Sequence, residues 1–487
     1  MTGFAQAFVM AMVFIASRSA LPGGPQEASP PGAGGLARDG RPPAVNFAHL
    51  EHLTERIRLG ADSVDIVHIY ANYPDYRWVS AAESGPEGIA CVDDAARAAG
   101  LYMRDWEVRG HAASLSRARG LLAFVMAMET ADGEMYNFVL PDHTINREGK
   151  TSFKSFGWWG ARGLVAMAKG ANVFRKRDPA FARALHDGVK RMLPHVEALM
   201  ARYGECAPVK GYRVPRWLLY ESGADVTSEL LPGLLEYRKT SPDTALTRTI
   251  RGLIEGLEIM QDGDAAHYPW GLHRSWETMW HMWGNAQTEA LALAGVLLRD
   301  RGAVASAERE AQGWYARLLM EGFLKEMDVA GGTAPARFEQ IAYGVRPMAL
   351  GLLYLYEATH RNEYLVMAGL AGSWLTGNNP ARSPVYDPAT GRCLDGIRDS
   401  TTLNLNSGAE STIEALAMLL EVERYPGAAA YLRCVRAASG TVHGVAYAVF
   451  RDGRGAEATL TREIAGGKLT VYTGDESRAF CRKEGIP

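Results

Sequence analysis

The chain has 487 residues, of which 47% are hydrophobic, and its formal net charge at pH 7 is −3. This much apolar sequence can bury a large core. The lack of a basic excess argues against nucleic acid as the main partner, because phosphate binding requires positive charge. Eleven Trp and twenty Tyr supply flat faces that suit sugar rings, although these residues also fill ordinary cores.

The N-terminus carries a short apolar run over residues 4–16. This run fits the apolar part of a signal peptide and is too short to span a bilayer. We interpret residues 1–20 as a possible signal peptide and residues 21–45, rich in Pro, Gly and Ala, as a disordered linker. The segment predicts export to the periplasm or the medium, with no membrane span beyond it. A misassigned start codon is the alternative.

Residues 46–440 show helical periodicity almost throughout. About a dozen amphipathic segments occur, mostly in consecutive pairs and without a short exact repeat. This pattern predicts an all-α fold, an (α/α)6 toroid of helical hairpins; an open solenoid is the competing architecture. Residues 441–487, rich in Val, Thr and Tyr with Gly-containing turns, predict a small β-rich segment. Predicted helices include 158–174, 277–299, 343–359, 409–423 and 427–438.

Neither a metal nor a cofactor is predicted. The five cysteines are scattered without a Cys-x-x-Cys spacing, which argues against structural zinc and against a redox dithiol. No helix carries a His-x-x-x-His ligand set, and no phosphate-binding glycine loop or Gly-x-Ser-x-Gly nucleophile motif occurs.

The first candidate for chemistry is the acidic pair Asp93 and Asp94, which follows a Gly-Ile-Ala-Cys turn at a predicted helix start. The first-turn N–H groups and the helix dipole stabilise a carboxylate there, which suits a general base that activates water. The alternative is that one of the two is simply an N-cap.

The second candidate is a polar stretch over residues 136–162 that leads into a Trp pair. Stacking on an indole with amide and guanidinium contacts beside it is a common way to grip a carbohydrate. We expect one Trp of the pair to pack into the barrel wall. The predicted substrate-binding residues of this stretch are Asn137, Asp142, Asn146, Trp158, Trp159 and Arg162, and Asp142 is also a secondary catalytic candidate.

The third candidate lies in the predicted helix 277–299. On a helix, Trp276, Trp280 and Trp283 would share one side, with His281 and Asn285 nearby. Such a stripe is more often core than binding site. Burial of unpaired His and Asn is unfavourable, so we predict that His281, Trp283 and Asn285 face a pocket.

The fourth candidate is Glu410, at the start of the predicted helix 409–423; Asn406, just before this helix, is a predicted substrate-binding residue. Ser407 and Glu410 have the spacing of a capping box, which would make Glu410 structural. Against this, Glu414 lies one turn later on the same face, and a neighbouring carboxylate raises the pKa of one member of such a pair, as a general acid requires.

These segments together resemble the six-hairpin glycosidase superfamily, including its uncharacterised glycosidase-like members. The resemblance covers roughly residues 60–440 and rests on residues 88–97, 156–162, 283–285 and 406–411. It implies an (α/α)6 barrel with a carbohydrate cleft at one end. By analogy with the inverting cellulases of that superfamily, Asp93 or Asp94 matches the base and Glu410 the acid, although the Asp-Ala-Gly-Asp turn of those enzymes is missing.

The expected function is therefore glycoside hydrolysis of an oligo- or polysaccharide, with inversion. The runner-up is a polysaccharide lyase, for which Tyr343, Arg346, His281 and His143 would supply the base and neutralise a uronate; Tyr343 and Arg346 are also predicted substrate-binding residues. A non-catalytic carbohydrate-binding protein is a third interpretation, and an epimerase on the same barrel has no specific signal in the sequence.

Overall fold

The computed structural model describes residues 45–83 and 85–487. The predicted signal peptide and all but the last residue of the predicted linker lie outside this part of the chain. Within it, no helix is both long enough and apolar enough to cross a membrane.

Helices dominate the residues between 48 and 430. Three of the predicted helices match the structure to within one residue at each end: Trp158–Phe174, Ala342–Thr359 and Ala409–Val422. In chain order the helices are α1 Ala48–Leu53, α2 Val92–Arg109, α3 Ala112–Met128, α4 Trp158–Phe174, α5 Pro179–Leu199, α6 Ala224–Arg238, α7 Thr244–Ile259, α8 Gln287–Leu298, α9 Arg301–Glu310, α10 Ala316–Glu321, α11 Ala342–Thr359, α12 Asn362–Gly372, α13 Ala409–Val422, α14 Pro426–Ala429 and α15 Gly474–Glu484.

Six of these helices form a closed ring. Helices α2, α4, α6, α8, α11 and α13 each pack against the next, and α13 packs back against α2. A second helix lies outside each of the first five: α3, α5, α7, α9 and α12 pack on α2, α4, α6, α8 and α11. The short α1 packs on α13 and completes the sixth pair. This architecture confirms the predicted (α/α)6 toroid and excludes the open solenoid.

Two predicted helices are wrong in part. Residues 276–284 form a turn, a short strand and a 3-10 turn, and α8 begins only at Gln287. The tryptophans of this segment therefore do not share a helical face. The predicted helix 427–438 ends at Ala429, and a strand begins at Val435.

Short antiparallel strand pairs connect the helices, so the region 46–440 is less uniformly helical than predicted. The pairs are β1 Thr54–Leu59 with β2 Asp62–Val67, β3 Tyr70–Asn72 with β4 Arg77–Val79, β5 Ala90–Cys91 with β6 Phe138–Val139, β7 Cys206–Val209 with β8 Tyr212–Pro215, β9 Gln261–Asp262 with β10 Leu272–His273, β11 Met279–His281 with β12 Glu326–Asp328, β13 Tyr386–Asp387 with β14 Arg392–Cys393, and β15 Gly396–Ile397 with β16 Leu403–Asn404.

The C-terminal region is a four-stranded antiparallel meander that begins at Val435, a few residues before the predicted boundary. Its strands pair in sequence order, β17 Val435–Val442, β18 Val445–Arg451, β19 Glu457–Glu463 and β20 Leu469–Thr473. Helix α15 packs on β19 and β20, while β18 contacts α10.

Candidate functional site

A cavity of about 410 Å³ lies at the N-terminal ends of the inner helices. Residues at the starts of α2, α4, α6, α11 and α13 line it, together with the segment that precedes α8. Helix N-termini carry partial positive charge, which favours anionic side chains at this end of the ring. The cavity volume lies within the range of small-molecule sites.

Residues 69–71, which lead into and begin strand β3, join the two acidic helix starts that the sequence places about three hundred residues apart. Ile69 donates its N–H to the carbonyl of Ile89 (2.9 Å), and its own carbonyl accepts from Ala409 N–H (3.0 Å). Ser407 N–H donates to the carbonyl of Ala71 (3.1 Å). A Cβ at Gly408 would lie 2.6 Å from the Ile69 carbonyl oxygen, so only glycine permits this approach.

Helix α2 is capped by a thiol. Cys91 is the N-cap residue, and its Sγ accepts a hydrogen bond from Asp94 N–H at 3.5 Å. Asp93 and Asp94 therefore occupy the first turn, and neither is the N-cap. Asp94 is enclosed: its Oδ1 lies 2.7 Å from Arg97 Nη2, its Oδ2 accepts from the Cys91 thiol at 3.4 Å, and its side chain is 2% exposed. Burial raises the pKa of the Asp94 carboxyl, against the opposing effect of Arg97.

Asp93 is the more open member of the pair. Its side chain lines the cavity with 16% of its surface exposed, and its Oδ1 lies 2.9 Å from Nε of Arg162. Arg162 also donates to the hydroxyl of Tyr343, which in turn donates to Glu229 at 3.0 Å. The guanidinium thus provides a positive charge beside the Asp93 carboxylate.

The capping box predicted around Glu410 is wrong. Ser407 donates its hydroxyl to the Cys393 carbonyl (2.7 Å), and the N-cap of α13 is Gly408. A distant side chain caps the helix instead: Asp395 Oδ1 accepts from Gly408 N–H at 2.7 Å and from the Ser411 hydroxyl at 2.8 Å. Because Asp395 supplies the cap, the Glu410 side chain is free to leave its own helix.

Glu410 faces the cavity and contacts the opposite helix start. Its Oε2 accepts hydrogen bonds from both Nη atoms of Arg97 at 3.1 Å, and 42% of the side chain is exposed. Loss of hydration within the cleft raises the pKa of Glu410 to about 7; Arg97 opposes this shift, whereas the Asp94 and Glu414 carboxylates reinforce it. Near neutral pH a substantial fraction of Glu410 is therefore protonated.

Asp395 is a cavity carboxylate that the sequence interpretation missed. One oxygen holds the start of α13, and Oδ2 accepts no hydrogen bond from the described residues. Burial raises the pKa of Asp395 to about 6, although the hydrogen bonds from Gly408 and Ser411 lower it. The only sequence signal was an Asp-Gly pair at the end of a Pro- and Asn-rich loop.

The remaining wall is aromatic and carries one histidine. Trp158 and Trp283 line the cavity, and His281 lies against Trp283 with ring centroids 5.0 Å apart. His281 Nε2 is 3.1 Å from Asp225 Oδ2, and its Nδ1 makes no hydrogen bond within the described chain. A Cβ at Gly284 would lie 2.0 Å from His281 Nε2, so this glycine leaves room for the ring.

Nine of the predicted site residues meet at this cavity. Both predicted helix starts contribute, as does the segment before α8, and the lyase candidate Tyr343 also faces it. The nine residues are Asp93, Asp94, Trp158, Arg162, His281, Trp283, Tyr343, Asn406 and Glu410.

The other predicted binding residues do not line the cavity, which corrects those assignments. Asn137 and Asn146 are buried, and each binds the backbone. Asn137 Oδ1 accepts a hydrogen bond from Val92 N–H (3.1 Å), and Asn146 Nδ2 donates one to the Glu87 carbonyl (2.8 Å). Trp159 is wholly buried and donates to the Met135 carbonyl (2.7 Å).

Four further candidates, Asp142, His143, Asn285 and Arg346, do not line the cavity either. Asp142 is exposed and binds Thr144 within its own turn, and His143 follows it on the same turn. Asn285 is fully buried and donates to the Gly344 carbonyl at 3.2 Å. Arg346 lies behind the cavity among buried carboxylates.

The structure adds charged and polar cavity residues that periodicity did not single out. Arg97 is the most connected of them, because it contacts Asp94, Glu410 and Glu414. Others include Tyr70, Asn72, Glu83, Asp225, Lys325, Glu339, Asp395, Arg398 and Asn404.

No family model and no curated protein matches the chain. Its structure is similar to that of cellobiose 2-epimerase from Bacillus thermoamylovorans B4167, with a TM-score of 0.54, 11% identity, and coverage of 87% of this chain and 100% of that one. A sugar epimerase from a ruminal bacterium has a TM-score of 0.52 at 10% identity, covering 77% of this chain and 95% of its own. A D-mannose isomerase has a TM-score of 0.50 at 9% identity, covering 74% and 91%.

These similarities confirm the predicted (α/α)6 toroid fold. At such low identity they establish the architecture and not the reaction. The activity has to be inferred from the side chains of the cavity.

Proposed function

We propose that this protein is a carbohydrate-processing enzyme that hydrolyses a glycosidic bond, with Glu410 as the proton donor. One observation carries the proposal: Glu410 faces the cavity and has a pKa raised to about 7. A general acid works best when its pKa lies near the operating pH, because it is then protonated in the ground state and still acidic enough to give up its proton.

The other cavity residues support a sugar as the substrate. Trp158 and Trp283 offer aromatic faces beside Asn72, Asn404 and Asn406. Sugar rings present C–H groups to indoles and hydroxyls to amides, so this mixture suits them. The similarity of the fold to sugar epimerases and an isomerase is consistent with the same class of ligand.

Asp93 is the better candidate for the base. Asp94 and Glu410 contact the same Nη2 of Arg97, at 2.7 and 3.1 Å, so their carboxylate oxygens are at most about 6 Å apart. Inverting hydrolases need roughly 6.5–9.5 Å to accommodate a water molecule between the two groups. Asp94 is also enclosed and paired on both oxygens, whereas Asp93 opens into the cavity.

The proposed reaction is a single displacement. Glu410 donates its proton to the glycosidic oxygen as the bond from that oxygen to the anomeric carbon breaks, and the bonding electrons leave with the oxygen. A water molecule attacks the anomeric carbon from the opposite face, and Asp93 accepts the water proton. Proton exchange with solvent then restores both carboxyl groups.

A polysaccharide lyase is less well supported. Among the described residues that line the cavity, seven carry a carboxyl group and four are Arg or Lys. The two central cations, Arg97 and Arg162, are already paired with carboxylates. A uronate would therefore meet a mostly acidic surface. A purely binding role is also disfavoured, because neither Asp93 nor Glu410 serves as a helix cap.

A sugar epimerase or isomerase is a second candidate, and one observation favours it. His281 lines the cavity, is held by Asp225 and keeps Nδ1 unpaired within the described chain. If Asp225 accepts the Nε2 proton, Nδ1 presents a lone pair, which suits a base that removes the proton next to the carbonyl of an open-chain sugar. Glu410 would donate its proton to the oxygen of the resulting enediolate and so form the neutral enediol.

One experiment separates the two reactions. The purified protein is incubated in D₂O with a panel of oligosaccharides, and the products are followed by NMR. Hydrolysis releases new reducing ends, and inversion gives first the anomer opposite to the substrate linkage. Epimerisation leaves the chain length unchanged and introduces deuterium at C2.

The control variants are Glu410→Gln and Glu423→Gln. Glu423 lies at the far end of α13, where it pairs with Arg109. We expect Glu410→Gln to abolish the release of new reducing ends and Glu423→Gln to retain it. Deuterium incorporation without release would replace the hydrolase proposal with the epimerase one.

A further inference from the structure

Beneath the cavity lies a buried ion layer, defined as Glu229, Glu289, Arg346 and Glu414. These residues come from α6, α8, α11 and α13, and their side chains are between 2% and 15% exposed. None of them lines the cavity. Buried charges of this kind are unfavourable unless they are paired, and replacing the layer by apolar side chains would often stabilise a protein. Its presence at the centre of the ring therefore calls for a role beyond stability.

Arg346 connects the layer. Its Nη1 lies 3.0 and 2.8 Å from the two carboxylate oxygens of Glu289, its Nε donates to Glu414 Oε2, and its Nη2 is 3.6 Å from Glu229. The other oxygen of Glu414 accepts from Arg97 Nη1 at 3.0 Å. The same Arg97 donates to Glu410. A continuous path of ion pairs thus runs from Arg346 through Glu414 and Arg97 to the cavity carboxyl.

Arg97 is the cation that contacts Glu410, so its position determines how strongly the ionised form of that carboxyl is stabilised. Three carboxylates compete for it, those of Asp94, Glu410 and Glu414. Glu414 is in turn neutralised from behind by Arg346. The charge balance at Glu414 therefore decides how strongly Arg97 is drawn away from Glu410.

Other groups also face Glu410 from the elements around it. Helix α4 contributes Arg162, α11 contributes Tyr343, and the segment before α13 contributes Asp395. Arg162 is held by Asp93 and Tyr343, and Asp395 is held by Gly408 and Ser411. These groups contact partners other than Arg346 and Glu414.

We propose that Arg346 and Glu414 are positioning residues that set how closely Arg97 interacts with Glu410, Glu414 drawing Arg97 away and Arg346 opposing Glu414, and thereby set the upper end of the pH range in which the enzyme is active. The inference rests on the proposed function, in which Glu410 must be protonated. Arg346 does not line the cavity, so it acts through Glu414 and Arg97 and not on the substrate.

The test is the pH dependence of kcat/KM for two single variants. The alkaline limb is the part of the profile at high pH where kcat/KM falls as Glu410 loses its proton. Glu414→Gln removes a negative charge beside Glu410 and frees Arg97, so this limb moves to lower pH. Arg346→Met leaves the Glu414 charge unbalanced and draws Arg97 away, so the limb moves to higher pH. We expect opposite shifts of roughly half a unit to one unit, and the double variant returns the limb towards that of the wild type.

The pH limb reports the active molecules whatever fraction of the protein folds, so loss of stability does not imitate the expected result. Arg346→Lys, which keeps the charge and loses the forked contact, replaces Arg346→Met if that variant is insoluble; it is expected to move the limb upward by less. Matched controls are Arg104→Met and Glu421→Gln, another Arg–Glu pair between α2 and α13. Both controls are expected to leave the limb in place.

Two failures remain distinguishable. If Glu410→Gln abolishes activity and the limb of both ion-layer variants coincides with that of the wild type, the layer is merely structural and only this inference is overturned. Shifts in the same direction overturn it as well. If Glu410→Gln retains activity, the proposed function itself is wrong.

Discussion

The starts of α2 and α13 look alike in sequence and differ in what their carboxylates can do. Both place an acid in the first turn, and both acids contact Arg97. Asp94 is 2% exposed and satisfied on both oxygens, whereas 42% of the Glu410 side chain is exposed in the cavity. Chemistry requires an acid that substrate can reach, so the same local pattern yields a structural residue at one helix and a candidate proton donor at the other.

The difference arises from how each helix is capped. In α2 the cap is local: Cys91 immediately precedes the helix and binds both the N–H and the carboxyl of Asp94. In α13 the cap comes from Asp395, thirteen residues upstream of Gly408. Because a distant residue caps α13, the first-turn acid Glu410 is not needed to bind the N–H groups of its own helix. Five substitutions at four positions and a pH profile test this contrast.

The largest expected effect is on activity, at Glu410. Glu410→Gln keeps the shape of the side chain but has no proton to give, so kcat falls about 10²–10⁴-fold. Because the side chain is partly exposed, the free energy of unfolding changes by less than about 1 kcal/mol. Initial rates and urea denaturation measure both. A variant that is destabilised but active would make Glu410 structural.

The pH profile of the wild type follows from the same group. The pKa of Glu410 is raised to about 7, and the protonated form is the active one. Activity is therefore present below this pKa and is lost tenfold per pH unit well above it. Measuring kcat/KM between pH 5 and pH 9 checks the sign. Activity that increases throughout this range would contradict the assignment of Glu410 as acid.

The next effect is on stability, at Asp94. Asp94→Ala removes an enclosed partner of Arg97 and leaves the guanidinium with less compensation, so we expect a loss of about 3 kcal/mol. This loss should exceed that of Glu410→Gln, which is the comparison that matters. Equal losses at the two positions, measured by urea denaturation, would remove the distinction between the two helix starts.

A smaller effect is expected at Asp395, where two variants separate its role as the cap of α13 from its role as a carboxyl group in the cavity. Asp395→Ala removes the cap of α13 and should lower the free energy of unfolding by about 1–2 kcal/mol. Asp395→Asn keeps an oxygen that accepts from Gly408 and Ser411, so its stability should stay close to that of the wild type. Any fall in activity of the Asn variant is then caused by loss of the carboxyl group and not by loss of the helix cap. Thermal denaturation and rate measurements on both variants distinguish these duties.

The smallest effect is expected at Cys91. Serine at this N-cap position accepts a hydrogen bond from the Asp94 N–H as the thiol does, so Cys91→Ser should change stability by less than about 1 kcal/mol and retain activity. Loss of activity in this variant would show that the thiol, which lines the cavity, takes part in the reaction.

Much of the fold could be predicted because helical periodicity is a local signal. The bounds of helices such as α4, α11 and α13 follow from apolar spacing over a few turns. The segment 276–284 was misassigned because its tryptophans repeat at helical spacing while its backbone pairs with residues 326–328. Such a pairing depends on a distant strand that no local pattern reveals.

The sequence by itself determined the paired helices, the C-terminal strands and the two acidic helix starts, because each depends on residues close together in the chain. The closure of the ring brings α13 against α2, and the tertiary structure decided it. The tertiary structure decided which acids are free. Residues 69–71 bring the two helix starts together, and Asp395 caps α13. Arg97 contacts Asp94 on its own helix and Glu410 and Glu414 on α13. Exposure, pairing and pKa depend on neighbours hundreds of residues away, and only the folded chain places those neighbours.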